Sequence, residues 1–181
     1  MKSLIWESEI FNSVEYCALS QGAYGFILKG TTILLKQPSI IRYLVECDKS
    51  WKTRVAHIRK ERKGKVNSLA LRTNTEGVWF EGKTPLTLAT GLLDIDFEFS
   101  PATNTLPINR LNLNEGESRE VDSLWVRSES LKLERLRQRY CRLDSTHYRY
   151  ESLSFDFKST IEVDQLGLVV NYGHLWHRIV E

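Results

Sequence analysis

The chain has 181 residues, 41% of them hydrophobic and 27% charged. These proportions are those of a soluble globular protein and suit one domain, able to bury roughly 70% of the surface its unfolded form exposes. Its 25 basic and 23 acidic residues leave a formal charge of +2, which makes no electrostatic case for nucleic acid or an acidic membrane as partner.

Read in chain order, the sequence predicts strand after strand. The opening stretch places Glu7 and Glu9 where an export signal needs an apolar core, and no later run is long and apolar enough to span a bilayer. The expectation is therefore a cytoplasmic protein. Residues 14–19 alternate, and Gly22 and Gly25 turn the chain. Residues 26–35 are rich in β-formers and end before Pro38. Residues 41–47 and 51–58 alternate again. The basic run from Arg59 to Lys65 reads as the solvated tip of a hairpin that turns at Gly64, and it leads into residues 66–71. Gly77 turns into residues 78–80, and Gly82 and Pro85 punctuate the way to a strand that starts at Leu92.

Residues 92–111, LLDIDFEFSPATNTLPINRL, form the most specific stretch. Leu93, Ile95, Phe97 and Phe99 alternate with Asp94, Asp96 and Glu98, which puts the apolar set on one sheet face and the acids on the other. Ser100 and Pro101 stop the strand, because proline gives the ladder no N–H and holds its predecessor extended. Thr103, Asn104 or Thr105 then offers a helix-capping side chain, worth roughly 1 kcal/mol, with Pro107 in the first turn.

Residues 121–127 form a strand that carries Trp125. Residues 130–143 fit two periods. Leu133, Leu136, Tyr140 and Leu143 fall at helical spacing. A strand reading needs a bulge near Glu134 and Arg135. The strand is the simpler continuation of a sheet, and either way Arg135, Arg137 and Arg139 face solvent. Residues 147–152, 154–163, 166–172 and 176–180 close the chain as a meander. Strands spaced by roughly 8–12 residues with short turns are the signature of an all-β sandwich, barrel or roll. No repeat or linker interrupts the chain, so residues 1–181 read as a single domain.

Cys17, Cys47 and Cys141 are odd in number and far apart, with no metal-ligand spacing, and read as free buried thiols. His174 and His177 lie in a turn entering the last strand, which argues against a zinc site. No cofactor or metal is called for.

A set of motifs carries a resemblance. Cys47, Asp48, Trp51, Thr53 and Arg54 form a CDxxWxTR segment, followed by the LDID of residues 93–96 and the TNTLPI of residues 103–108. Leu124-Trp125-Val126, Gln138-Arg139-Tyr140, the YRYES of residues 148–152, and Val163-Asp164 with Gly167-Leu168-Val169 continue the series in order. Together they resemble the bacterial putative glycolipid-binding protein family, over nearly the whole chain. The resemblance implies a spiral β-roll, a many-stranded antiparallel sheet wrapped around one short helix, often paired as a homodimer. It also implies a lipid-like ligand, by likeness to bacterial lipoprotein carriers. The chain departs from the family pattern at Asn109, where a basic residue is usual before Arg110, and at Ser128-Glu129, which replaces a Phe-Pro pair.

A partly filled concave sheet suits such a ligand, since small-molecule sites are apolar hollows with a few placed polar groups. Sugar headgroups call for aromatic faces and for hydroxyl-accepting side chains. Trp51, Trp125, Tyr140 and Tyr150 answer the first need, with Trp79 and Trp176. Asp94, Asp96, Asn104 and Gln138 answer the second. Arg54 and Arg110 are either buried partners of Asp48, Asp94 or Asp96, or guanidinium forks aimed at an anionic ligand group. The expected function is a non-catalytic binding protein for a glycolipid or other amphiphile in the cavity of a β-roll. The alternatives are a glycoconjugate hydrolase with Asp94 and Asp96 as acid and base, and a structural or protein-interaction domain. The deciding feature is whether Asp94 and Asp96 face a cavity or an arginine.

Overall fold

The structure, a computed structural model, describes residues 1–180. The N-terminal half consists of β1 (Lys2–Ser8), β2 (Ser13–Gln21), β3 (Gly25–Leu34), β4 (Ser39–Asp48), β5 (Thr53–Arg62), β6 (Lys65–Thr73), β7 (Trp79–Glu81) and β8 (Thr84–Pro85). Then come β9 (Asp94–Phe97) and the helix α1 (Thr105–Leu111), which a 3-10 turn over Ala102–Asn104 introduces. The C-terminal half adds β10 (Ser118–Val126), β11 (Leu133–Arg142), β12 (His147–Ser152), β13 (Phe157–Val163), β14 (Val169–Tyr172) and β15 (Trp176–Val180).

All fifteen strands belong to one sheet in the order β8 to β1, then β15 down to β9. Each half is a run of hairpins, and the halves join where β1 pairs antiparallel with β15. The sheet is antiparallel except for its last pair, since β9 runs parallel to β10. That pair is parallel because α1 and its loops return the chain to the end at which β9 began.

The sheet does not close into a barrel. A closed ring needs its two end strands, β8 and β9, to pair. Instead β9 meets β5, where the Thr53 N–H donates to the Leu93 carbonyl at 3.0 Å and the Ile95 N–H donates to Thr53 Oγ1 at 3.3 Å. The strands β6 to β8 continue past that contact, which makes the sheet a spiral. The edge strand β9 is thereby covered on both sides. Ile95 and Phe97 face the N-terminal half, with Phe97 edge-on to Tyr43 at 5.2 Å. Asp94 and Asp96 face α1 and the C-terminal half. Period-two alternation holds here, and both faces end up inside.

The basic run ends as expected, in a hairpin turn at Lys63 and Gly64, both at positive φ. That backbone is the one a two-residue hairpin loop requires. Lys60, however, points inward at 5% exposure, and its Nζ donates to the carbonyls of Ser128 and Glu129 at 2.6 and 2.8 Å. Residues 133–142 are a strand, and its ladder to β10 runs unbroken from Leu133 to Cys141 without the anticipated bulge. Leu136, Gln138 and Tyr140 face inward, and Arg135, Arg137 and Arg139 pair with Asp122, Glu120 and Glu151 on the outer face.

The capping expectation fails. Asn104 sits at the helix N-cap in a helical conformation, with no side-chain cap hydrogen bond. The preceding 3-10 turn already supplies helical backbone there, which frees the Thr103 and Asn104 side chains for contacts across the fold. The three cysteines are free and buried. Burial, reinforced by nearby acids, pushes the Cys17 thiol up and that of Cys47 up to about 12, so neither is a thiolate nucleophile at neutral pH.

Candidate ligand-binding cleft

Where the concave face of the C-terminal half meets the β9–α1 connection, the side chains leave a cleft of about 280 Å3. Its walls are aromatic because the meander places a ring at an inward position on one strand after another. Tyr150 on β12 is edge-on to Tyr140 at 5.2 Å and to Tyr172 at 5.7 Å. Tyr172 lies 5.6 Å from Trp176, which Phe11 covers in a stacked pair at 4.6 Å. On the opposite wall Trp125 meets Phe155 at 5.4 Å. Cross-strand aromatic pairs of this kind are worth about 0.5–1.5 kcal/mol beyond the area they bury.

The polar end of the cleft is built around Asp96. Thr103 donates its hydroxyl to Oδ1 at 2.7 Å, and the Gln138 amide donates to Oδ2 at 2.9 Å and to the Tyr150 hydroxyl at 3.0 Å. Asn104 is fixed beside them, with Oδ1 accepting from Tyr140 at 2.8 Å and Nδ2 donating to the Pro101 carbonyl at 3.1 Å. Burial pushes the Asp96 carboxyl up to about 6, against the pull of its hydrogen bonds from Thr103, the Phe97 N–H and Gln138. Glu98, two residues on, also lines the cleft. It is held by Arg127 at 2.9 Å and accepts from the Ser128 N–H and hydroxyl at 2.6 and 2.8 Å.

Asp94 has a different fate. Its two oxygens take a bidentate pair from Arg110 of α1, at 3.0 and 2.6 Å, and Asp94 is 1% exposed. It does not line the cleft. The two acids that looked alike in the sequence thus separate, one facing an arginine and the other a cavity.

Of the ten residues expected to touch ligand, Asp96, Asn104, Trp125 and Tyr150 line this cleft, and Gln138 and Tyr140 stand directly behind them. The other four lie elsewhere. Trp51 stacks on Phe26 at 3.8 Å in the β4–β5 turn, Arg54 pairs with Asp48 at 2.7 Å, and Arg110 and Asp94 bind each other. The wall residues Phe11, Phe155 and Tyr172, and Ser100 at the floor, are not among those ten. The inward parity of the closing meander could have revealed Tyr172. Phe11 and Phe155 lie in turns and carry no periodic signal.

Both departures from the family pattern have structural occupants. The Asn109 amide donates to the carbonyls of Thr105 and Leu166 at 2.9 and 3.0 Å, tying α1 to the β13–β14 turn. Ser128 bonds Glu98 and Lys60 at the cleft rim.

A family model described as "Putative glycolipid-binding" matches residues 3–178. The chain belongs to that family. A crystal structure of a DUF1089 family protein from Pseudomonas aeruginosa has the same fold, with a TM-score of 0.82 and 34% identity over 93% of this chain and 92% of that one. No curated protein matches the chain.

Proposed function

We propose that the protein binds, without catalysis, one end of a glycolipid or other amphiphile in the aromatic cleft beside Asp96. The observation that carries this is a cavity of about 280 Å3, walled by rings from β10, β12, β14 and β15, with a few polar groups gathered at one end. That volume is near the small end of ligand pockets, so the cleft takes the head or part of a chain rather than a whole lipid. The family description supports the same reading. The hydrolase alternative is weaker, because a glycosidase pair needs two available carboxyls flanking one bond. Here Arg110 occupies both oxygens of Asp94, and Glu98 is engaged by Arg127 and Ser128.

The reading extends to a single cytoplasmic domain over residues 1–181, acting as a homodimer, with no cofactor and no nucleic-acid partner. The sheet's continuity through β1 and β15 supports the single domain. Native mass spectrometry of the protein purified from its own host, followed by organic extraction, tests the function. The expected result is a stoichiometric amphiphile that Trp125→Ala loses and Arg54→Ala retains. A protein that arrives empty and stays empty after incubation with host lipid extract contradicts it.

A further inference from the structure

Resting on that reading, we infer that the cleft rejects negatively charged amphiphiles and takes those whose polar end donates hydrogen bonds without carrying negative charge. The lining holds two carboxyl side chains, Asp96 and Glu98, and no Lys, Arg or His among the described residues. Cations at the rim already face acids. Arg127 pairs with Glu98 at 2.9 Å and lies 4.0 Å over the Trp125 ring, and Lys132 pairs with Glu134 at 3.1 Å. A phosphate- or sulfate-bearing head therefore meets a carboxylate and no free counter-charge, in a hollow where apolar walls weaken dielectric screening. The arginine best suited to an anion, Arg110, is closed off by Asp94.

The hydrogen-bonding inventory agrees with the charges. A carboxylate accepts about four hydrogen bonds, and Asp96 receives side-chain bonds from Thr103 and Gln138 and the backbone N–H of Phe97. It retains acceptor capacity for a donor on the ligand. On the opposite side Trp176, 5% exposed, lines the cleft with its indole N–H buried and without an acceptor. A hydroxylated head supplies both a donor for Asp96 and an acceptor for an indole N–H. An ammonium head supplies the donor and meets aromatic faces. The shared requirement is hydrogen-bond donation without negative charge. Rejection of the wrong charge by an unpaired acid is discrimination by repulsion.

The test uses the full chain at pH 8 and three probes of equal tail length below their micellar concentrations: octyl β-glucoside, octylamine and octyl sulfate. Isothermal titration calorimetry is expected to show the glucoside or the amine binding at least about tenfold more tightly than the sulfate. Asp96→Asn, checked for folding by circular dichroism, is expected to narrow that gap by raising sulfate affinity. The order of glucoside and amine then distinguishes a hydroxyl from an ammonium donor. Sulfate binding as tight as the better of the other two overturns the inference, as does an unchanged gap in folded Asp96→Asn. If that variant does not fold, the wild-type ranking decides alone. Binding without charge discrimination removes only this inference. Failure of all three probes to bind removes the binding reading along with it.

Discussion

At the scale of single residues, the fold's most unusual act is to bury carboxyls among hydroxyls. Glu15 is 1% exposed, and its Oε1 accepts from Tyr43 and Ser100, both at 2.6 Å, while Oε2 has no partner. Burial pushes this carboxyl up to about 7, against the pull of those hydroxyls. A raised pKa means the folded state holds the proton more tightly than the unfolded chain, whose value is ordinary. The resulting stability is fully present below about pH 4.5 and is lost as pH rises through about 7, a change on the order of 3 kcal/mol. Asp96 contributes with the same sign up to about pH 6. Urea unfolding between pH 4.5 and 8 should therefore show Glu15→Gln gaining on the wild type as pH rises. A difference independent of pH contradicts a protonated Glu15. None of this was legible in the sequence, where Glu15 is one polar residue in an alternating strand. Alternation there would turn Val14 and Tyr16 inward and Glu15 outward, whereas Tyr16 is exposed and Glu15 buried, and the enclosing Ser100 and Tyr43 lie 85 and 28 positions away.

At the scale of elements, alternation and turn chemistry carried most of the prediction. The hairpins from β2 to β6 and the closing meander follow from period two and from glycines at positive φ, such as Gly64 and Gly167. The strand stop before Pro101 and the helix beyond it were legible as well. Missing were β1 and β8, both outside the predicted strands, and the role of the TNTLP segment. Its polar side chains serve tertiary bonds because the 3-10 turn ahead of α1 needs no cap. What holds α1, a helix of only seven residues, is its buried Leu106 and Ile108 and, at its C-terminal end, the Arg110–Asp94 pair together with Asn109. Breaking a buried pair leaves an uncompensated charge and costs about 3–5 kcal/mol. Arg110→Leu is accordingly expected to lower stability by that amount in urea or thermal melts. Asp94→Asn with Arg110→Leu should recover part of it. A single variant as stable as the wild type contradicts the anchoring role.

At the scale of the molecule, the spiral makes the site. Because β9 curls in to meet β5, its acids are presented to the inside of the C-terminal half, and Asp96 becomes the polar end of an aromatic cleft. The sequence offered the residue types, six of the ten expected residues converge there, and four do not. Period and composition show which way a side chain points on its own strand. They do not show which strand lies opposite, and that depends on how far a fifteen-stranded sheet coils before its edge is covered. The central claim is that this cleft receives the ligand. The five tryptophan indole N–H groups report on it directly, since Trp6 and Trp79 are fixed in the core by bonds to Val169 and Leu92 at 2.8 Å, and Trp51 stacks on Phe26. An NMR titration of the labelled indoles with octyl β-glucoside and, separately, with octylamine is the measurement. The expected result is movement of the Trp125 and Trp176 signals, with Trp6, Trp51 and Trp79 unmoved. Movement confined to Trp51, or no movement up to the micellar limit, contradicts a ligand site in this cleft.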